Sequence, residues 1–522
     1  MIRHVAAKEL HEALLSPKFV VIFVVSSVLV LLSIYTGVER YREDLREHRL
    51  AEQLNLDSLT QGTWSDMLTS GSTVVRPPSP LSLAVGGVQG VTGRRAKVGS
   101  EAPEVRDSRV MHHPIFAVFG ELDLAFVIAN VLSLFAILLA FDTISGEKER
   151  GTLKLLLSGK ASRAEVLAGK MLGGYATLVV PLAIPLLIGA LYIALQNDLG
   201  WGSEAWLRFG LFLLLGLVYL AVFFVLTVLV SSLTSRPATS FLVLLLLWVV
   251  MVAITPRTSV LIASQITPAP SYDEMLVEQD TISRQQRDKQ MQRVGEDLQA
   301  LFERQAPGQI DPESFGQTMD EVQARIRKEI RSETEMLLSE VYADFERRQL
   351  AMAATARSLS RVSPTSAFTF ASQALAGTDH ESQQRFLEAV RTYRDDYLAF
   401  VYEQMGADPD HAGGVVVGMA STREGGSGPG SGGGETSEGG AGAGEQAPGS
   451  GQREETRMVF VSAGQAQQGQ ELDLAAMPHF LLALPRLSVA VRSANIDLAI
   501  LLVILAGCLI ASYAAFRRYD PR

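Results

Sequence analysis

The chain has 522 residues, of which 48% are hydrophobic and 20% charged. With a mean hydropathy of +0.19, it is no ordinary soluble globule, and very apolar blocks must alternate with polar ones. A formal net charge of −10 gives no reason to expect a nucleic-acid partner, and one cysteine, Cys508, leaves no disulfide to staple any part of the fold.

In chain order, Ile2, Val5, Ala6, Leu10, Ala13 and Leu14 make one helical stripe, with Arg3, His4, Lys8, His11 and Glu12 largely opposite. This predicts an interfacial helix over 1–18, lying against membrane lipid and ending at Ser16-Pro17; a disordered start is the alternative. Six runs follow that are long enough to cross a hydrocarbon core of about 30 Å: Phe19–Tyr35, Leu122–Phe141, Leu172–Ala194, Leu207–Val230, Ala238–Ile254 and Ile496–Tyr513. No small-x-small cleavage site follows the first, so it reads as a retained span. Asn130 falls mid-span in the second run, where a polar side chain serves a helix–helix hydrogen bond or a translocation path. Pro181 and Pro185 predict a bend in the third.

Lysines and arginines cluster in the N-terminus, the link after span two and the C-terminus, and the link after span four carries Arg236. Orientation follows from that bias: both termini are cytoplasmic and the two long insertions extracytoplasmic. In the first insertion Val38–Leu56 continues the first span as helix, and the stretch around Arg76-Pro77-Pro78 reads as loop or short strands. In the second, Asp311-Pro312-Glu313 starts a long amphipathic helix carrying Val322, Ile326, Ile330 and Phe345 on one stripe. The Gly-rich stretch 406–453 cannot bury a core and reads as disordered. The expected fold class is an all-α polytopic membrane protein: six transmembrane helices with a helical extracytoplasmic insertion between spans five and six. Its parts are an interfacial helix (1–18), span one (19–36), an insertion (37–120), spans two to five (121–256), the helical domain (257–495), span six (496–514) and a tail (515–522).

Between spans two and three lies the polar run Glu147-Lys148-Glu149-Arg150-Gly151-Thr152-Leu153-Lys154-Leu155-Leu156-Leu157. By residue type it is a short surface helix with early acids favoured by the helix dipole and a leucine edge; a merely solvated loop is the alternative. The order of residues Glu147, Glu149, Gly151, Thr152, Leu153, Leu156, Ser162, Arg163, Gly169 and Lys170 resembles the cytoplasmic link of type-2 ATP-binding-cassette permeases. In that family the link is a coupling helix, here 147–158, that docks on an ATPase. The chain departs from the pattern at Lys160-Ala161, where a proline is common. The large insertions are similar to those of a bacterial subgroup related to gliding-motility and copper-enzyme-maturation permeases.

The resemblance implies a permease subunit of an ATP-driven transporter, an exporter in a bacterial cytoplasmic membrane. It further implies an ABC ATPase as partner and a second permease subunit, either a homodimer or a similar paralogue. Glu147, Glu149, Arg150, Gly151, Thr152, Leu153 and Leu156 are then the ATPase-coupling residues. No cofactor is expected, because the sequence lacks a P-loop and ATP would be bound by the partner. His380, His411, His479 and the methionines show no chelating spacing, and Met319 and Met336 are expected to pack. A force-transmitting scaffold acting on an extracytoplasmic partner is the competing function.

Overall fold

The computed structural model describes residues 2–89, 92–99, 104–106, 122–157, 162–304, 312–405 and 476–518. Among these, six helices are long and apolar enough to cross a membrane. The first two helices are α1 (Ile2–Leu14) and α2 (Pro17–Gln61), the latter capped by Ser16 with Pro17 in its first turn. α2 has 45 residues, so the charged Val38–Leu56 stretch does extend the first span as one helix.

Next come α3 (Trp64–Thr69), β1 (Ser72–Val75), β2 (Arg95–Val98) and β3 (Glu104–Arg106). The three short strands form an antiparallel sheet in the order β1-β2-β3, with Ser72 opposite Val98 and Arg95 opposite Arg106. α4 (124–140) holds a π-helical stretch, Val127–Leu132. It leads to two short helices, α5 (Ser145–Arg150) and α6 (Thr152–Leu157). Spans three to five are α7 (Arg163–Ala194), α8 (Ser203–Leu233) and α9 (Pro237–Ile266), and α7 remains helical through Pro181 and Pro185. The second insertion gives α10 (Tyr272–Arg304), α11 (Pro312–Ser360), α12 (Pro364–Ala376) and α13 (His380–Met405), and α14 (Leu487–Arg517) is the last span.

α10 and α11 form an antiparallel hairpin. By length alone they reach about 50 Å and 73 Å at 1.5 Å per residue. Ile326 and Ile330 are buried in the hairpin, and Lys289–Glu333 (2.6 Å), Arg293–Glu329 (3.0 Å) and Arg325–Asp297 (3.0 Å) bridge it. These pairs are solvent-exposed and individually worth little. Met336, expected to pack, is exposed, because it lies off the Ile326–Ile330 stripe. Met319 and the Gly-rich 406–453 fall outside the residues, or side chains, that the structure describes.

The sequence boundaries put α12 in the insertion; its surroundings are those of the span bundle. Phe368 stacks on Tyr219 of α8 at 4.6 Å. The Tyr219 hydroxyl donates to Ala129 O (2.7 Å) and lies 3.1 Å from Thr365 Oγ1. Ser363 Oγ donates to Met251 O of α9 (2.5 Å). At the other end of α12, Arg208 Nη1 donates to Leu375 O (3.0 Å). Arg208 and Tyr219 stand eleven positions apart on α8, so α12 follows that helix for about 16 Å. Its apolar run is too short to register as a span, yet most of it is buried: Ala367, Phe368 and Ala371 are fully enclosed, and Thr369, Phe370 and Gln373 are partly covered. An ion pair between a half-buried arginine and a buried carboxylate closes the approach, with Arg361 Nε 2.7 Å from Asp497 Oδ1 of α14.

The first insertion is pinned to α2 at Gly37. A Cβ there would lie 2.0 Å from Leu83 O, a backbone atom of the 3-10 turn Pro80–Leu83. Gly37→Ala is therefore expected to destabilise the protein by about 1–3 kcal/mol through overpacking, read as a lower thermal midpoint in detergent.

Candidate coupling site

The segment after α4 folds as two helices rather than one, because Gly151 takes a left-handed conformation (φ 75°) and ends α5. A Cβ at Gly151 would meet nothing within 4 Å; the positive φ alone calls for glycine. Glu147 lies in the first turn of α5, where the dipole argument applies, whereas Glu149 lies beyond it.

The frame holding these helices comes from the end of α8. Ser231 Oγ accepts the backbone N–H of Ile144 (3.1 Å) and Ser145 (3.0 Å), satisfying donors that α5 leaves unpaired at its start. Lys148 Nζ donates to the Thr234 carbonyl (3.0 Å) and to that of Ser232, meeting the free carbonyls at the C-terminus of α8. Leu153 is fully buried in a cluster with Ile144, Val166, Leu167, Val228 and Phe516. Arg163 Nη1 donates to Arg517 O (2.6 Å), tying the start of α7 to the end of α14. Ser162 and Glu165 form a capping box, each accepting the other's backbone N–H.

The expected residues divide by direction. Glu149, Arg150 and Thr152 are exposed, as is Lys154. Glu147 and Leu153 point inward, and the Leu156 side chain lies outside those described. Thr152 Oγ1 donates to Glu147 O at 3.4 Å. The outward edge is polar and mixed in charge on a rigid base, which suits docking of a soluble partner.

Glu147 belongs to a buried three-residue cluster. Lys170 Nζ donates to Glu147 Oε1 (2.8 Å) and to Glu9 Oε1 of α1 (2.6 Å), and the lysine side chain is only 1% exposed. α1 reaches this point because α7 offers glycines beneath it: Cβ atoms at Gly169 and Gly173 would lie 2.7 Å from Val5 Cβ and 2.5 Å from Ala6 O. The predicted apolar stripe of α1 thus faces α7, while Arg3, His4, Lys8, His11 and Glu12 are exposed. Sequence reasoning missed Glu9 and Ser231. The signal for Glu9 was present, a carboxylate set among Val5, Ala6, Leu10 and Ala13. Ser231 carries no such mark.

Among the described residues Asn130 bonds within its own helix rather than across helices. Its Nδ2 donates to Phe126 O of its own helix (3.0 Å), a backbone-competing bond available to a short polar side chain. At this depth the bonds across helices come from Tyr219 to Ala129 O and from Trp248 Nε1 to Ser133 Oγ (2.9 Å). His479 and His48 line a cavity of about 390 Å³ beside β1, and no group of three metal-ligating side chains forms among the described residues.

The family model described as ABC-2 family transporter protein matches residues 3–520. A probable ABC transporter permease protein, NosY of Stutzerimonas stutzeri, is 39% identical over 109 residues, which are 20% of this chain and 39% of the relative. The match thus spans about two fifths of that relative's length. With apolar helices suited to a multi-pass membrane protein and a family match from near its first residue to near its last, the chain belongs to the ABC-2 family of transporter proteins.

Proposed function

We propose that this chain is the permease subunit of an ATP-driven transporter in a bacterial cytoplasmic membrane, most simply an exporter. It would couple ATP hydrolysis by a separate ABC ATPase to substrate movement, paired with a second permease subunit. The observation that carries this reading is the exposed edge Glu149, Arg150, Thr152 and Lys154 on a base fixed by Ser231, Lys148 and Leu153. A push on that edge is passed to α4 and α8 rather than absorbed by a loose loop. Both termini and the basic links lie on the cytoplasmic side in this reading, as the positive-inside bias favours. The chain itself is not the enzyme, and hydrolysis belongs to the partner.

Purification of the complex in mild detergent tests the proposal, with a co-purifying ATPase as the expected result. Glu149→Ala combined with Arg150→Ala should leave folding unchanged within about 0.5 kcal/mol, since both are exposed. It should weaken retention of the ATPase on the order of tenfold, or roughly 1.4 kcal/mol. Undiminished retention and turnover would refute the assignment of this edge.

The α10–α11 hairpin favours a second reading, in which nothing crosses and the arm pulls on an extracytoplasmic partner. Reconstituted vesicles separate the two, because ATP turnover without movement of any cargo supports the force-transmitting form.

A further inference from the structure

α1 is a 13-residue helix with no buried residue of its own. Isolated helices of that length are marginal in water, so its position depends on what holds it to α7. The hold combines the apolar stripe of α1, seated in the glycine notch at Gly169 and Gly173, with the Glu9–Lys170 ion pair. The same ammonium holds Glu147 in the first turn of α5. One buried cation therefore bonds the N-terminal helix and the coupling segment together, although Glu9 and Lys170 are 161 positions apart.

α1 is also the handle of span one. Only Leu15 and Ser16 separate it from α2, and Ser16 fixes that joint: its Oγ donates to Ala13 O (2.7 Å) and accepts from Phe19 N (3.2 Å). A second tie, Lys18 to Asp142 (2.8 Å), joins α2 to the residues just before α5, but both side chains are substantially exposed. Such pairs are screened and weak. The buried route through Glu9 is the stiffer one.

We propose that Glu9 is a positioning residue that makes α1 travel with the coupling segment, so that displacement of α5 by the ATPase reaches span one through Lys170 rather than through the backbone. This rests on the coupling reading above. Span two is driven directly, because α4 leads into α5; span one moves only while the Glu9–Lys170–Glu147 cluster is intact.

Glu9→Gln is the informative variant. It keeps the side-chain shape and leaves Lys170 paired with Glu147, so no buried charge is stranded. In a Cys508→Ser background, spin labels at Tyr35→Cys and Leu214→Cys report span one against α8, and labels at Phe126→Cys and Leu214→Cys report span two. Tyr35, Phe126 and Leu214 are all exposed. Distances are measured by electron–electron dipolar spectroscopy on the full complex, nucleotide-free and trapped with ATP and vanadate. The parent should show a nucleotide-dependent shift in both pairs. With Glu9→Gln the 35–214 shift should be lost, while the 126–214 shift and ATPase retention persist. A 35–214 shift equal to the parent's overturns the proposal, as does a parent in which that pair never shifts, or a variant in which both shifts vanish. If the unsubstituted chain retains no ATPase, the coupling reading itself fails, and that result is distinct from all of these.

Discussion

Lys170→Met should cost the folded protein about 3–5 kcal/mol, as expected when one partner is removed from a buried ion pair. The lysine side chain is 1% exposed, and its carboxylate partners Glu9 and Glu147 are 21% and 17% exposed. Methionine fills nearly the same volume, so the loss is electrostatic rather than a cavity effect. What remains is two carboxylates facing each other with no cation between them. Chemical denaturation in detergent would measure the loss. Adding Glu9→Gln and Glu147→Gln to Lys170→Met should recover most of it, because the stranded charges then disappear. Failure of the triple variant to recover would mean that Lys170 acts through its stem packing against α1. Freed of its tie, α1 should also become the first site of limited proteolysis.

The second large effect is expected at Arg361. Its guanidinium meets the Asp497 carboxylate at 2.7 Å and 3.2 Å, and the Asp497 side chain is 3% exposed. Asp497 lies on α14 near Ala494 and Leu501, both buried in the apolar core. Arg361→Leu leaves that carboxylate without its cation among apolar side chains and should cost about 3–5 kcal/mol. Arg361→Leu with Asp497→Leu should be far milder and close to neutral. A double-mutant cycle on thermal midpoints measures the coupling, and additive single effects would show that the pair contributes little. Because the pair sits where α11 turns into α12, loss of Arg361 should also loosen α12 against Tyr219, raising hydrogen exchange in 363–372.

Much of the architecture is legible in the residues because it rests on local patterns. The six spans declare themselves by apolar length, and 312–360 is helical, as its amphipathic stripe indicates. α12 escapes the same reasoning: an apolar stretch of 13 residues fits a soluble helix as well as one enclosed by spans. The break at Gly151 was open to inspection, since a glycine after a basic last turn is an ordinary helix stop. Within a run of good helix formers it reads instead as tolerated. At the site, the exposed edge follows from residue type and order. The Glu9–Lys170–Glu147 cluster does not, since nothing local signals that positions 9 and 170 meet. For Asn130, depth suggests a partner on another helix or a path, and the bond present among the described residues is to Phe126 of its own helix.

α2 runs for 45 residues from its start at Pro17 to Gln61 without an interior proline. At 1.5 Å per residue it is a rod of about 67 Å. Pivoted near its beginning, a tilt of about 5° would sweep the far tip through about 6 Å, comparable to one helical pitch. A sub-ångström nudge close to the pivot would thus be geared up before it arrived at β1.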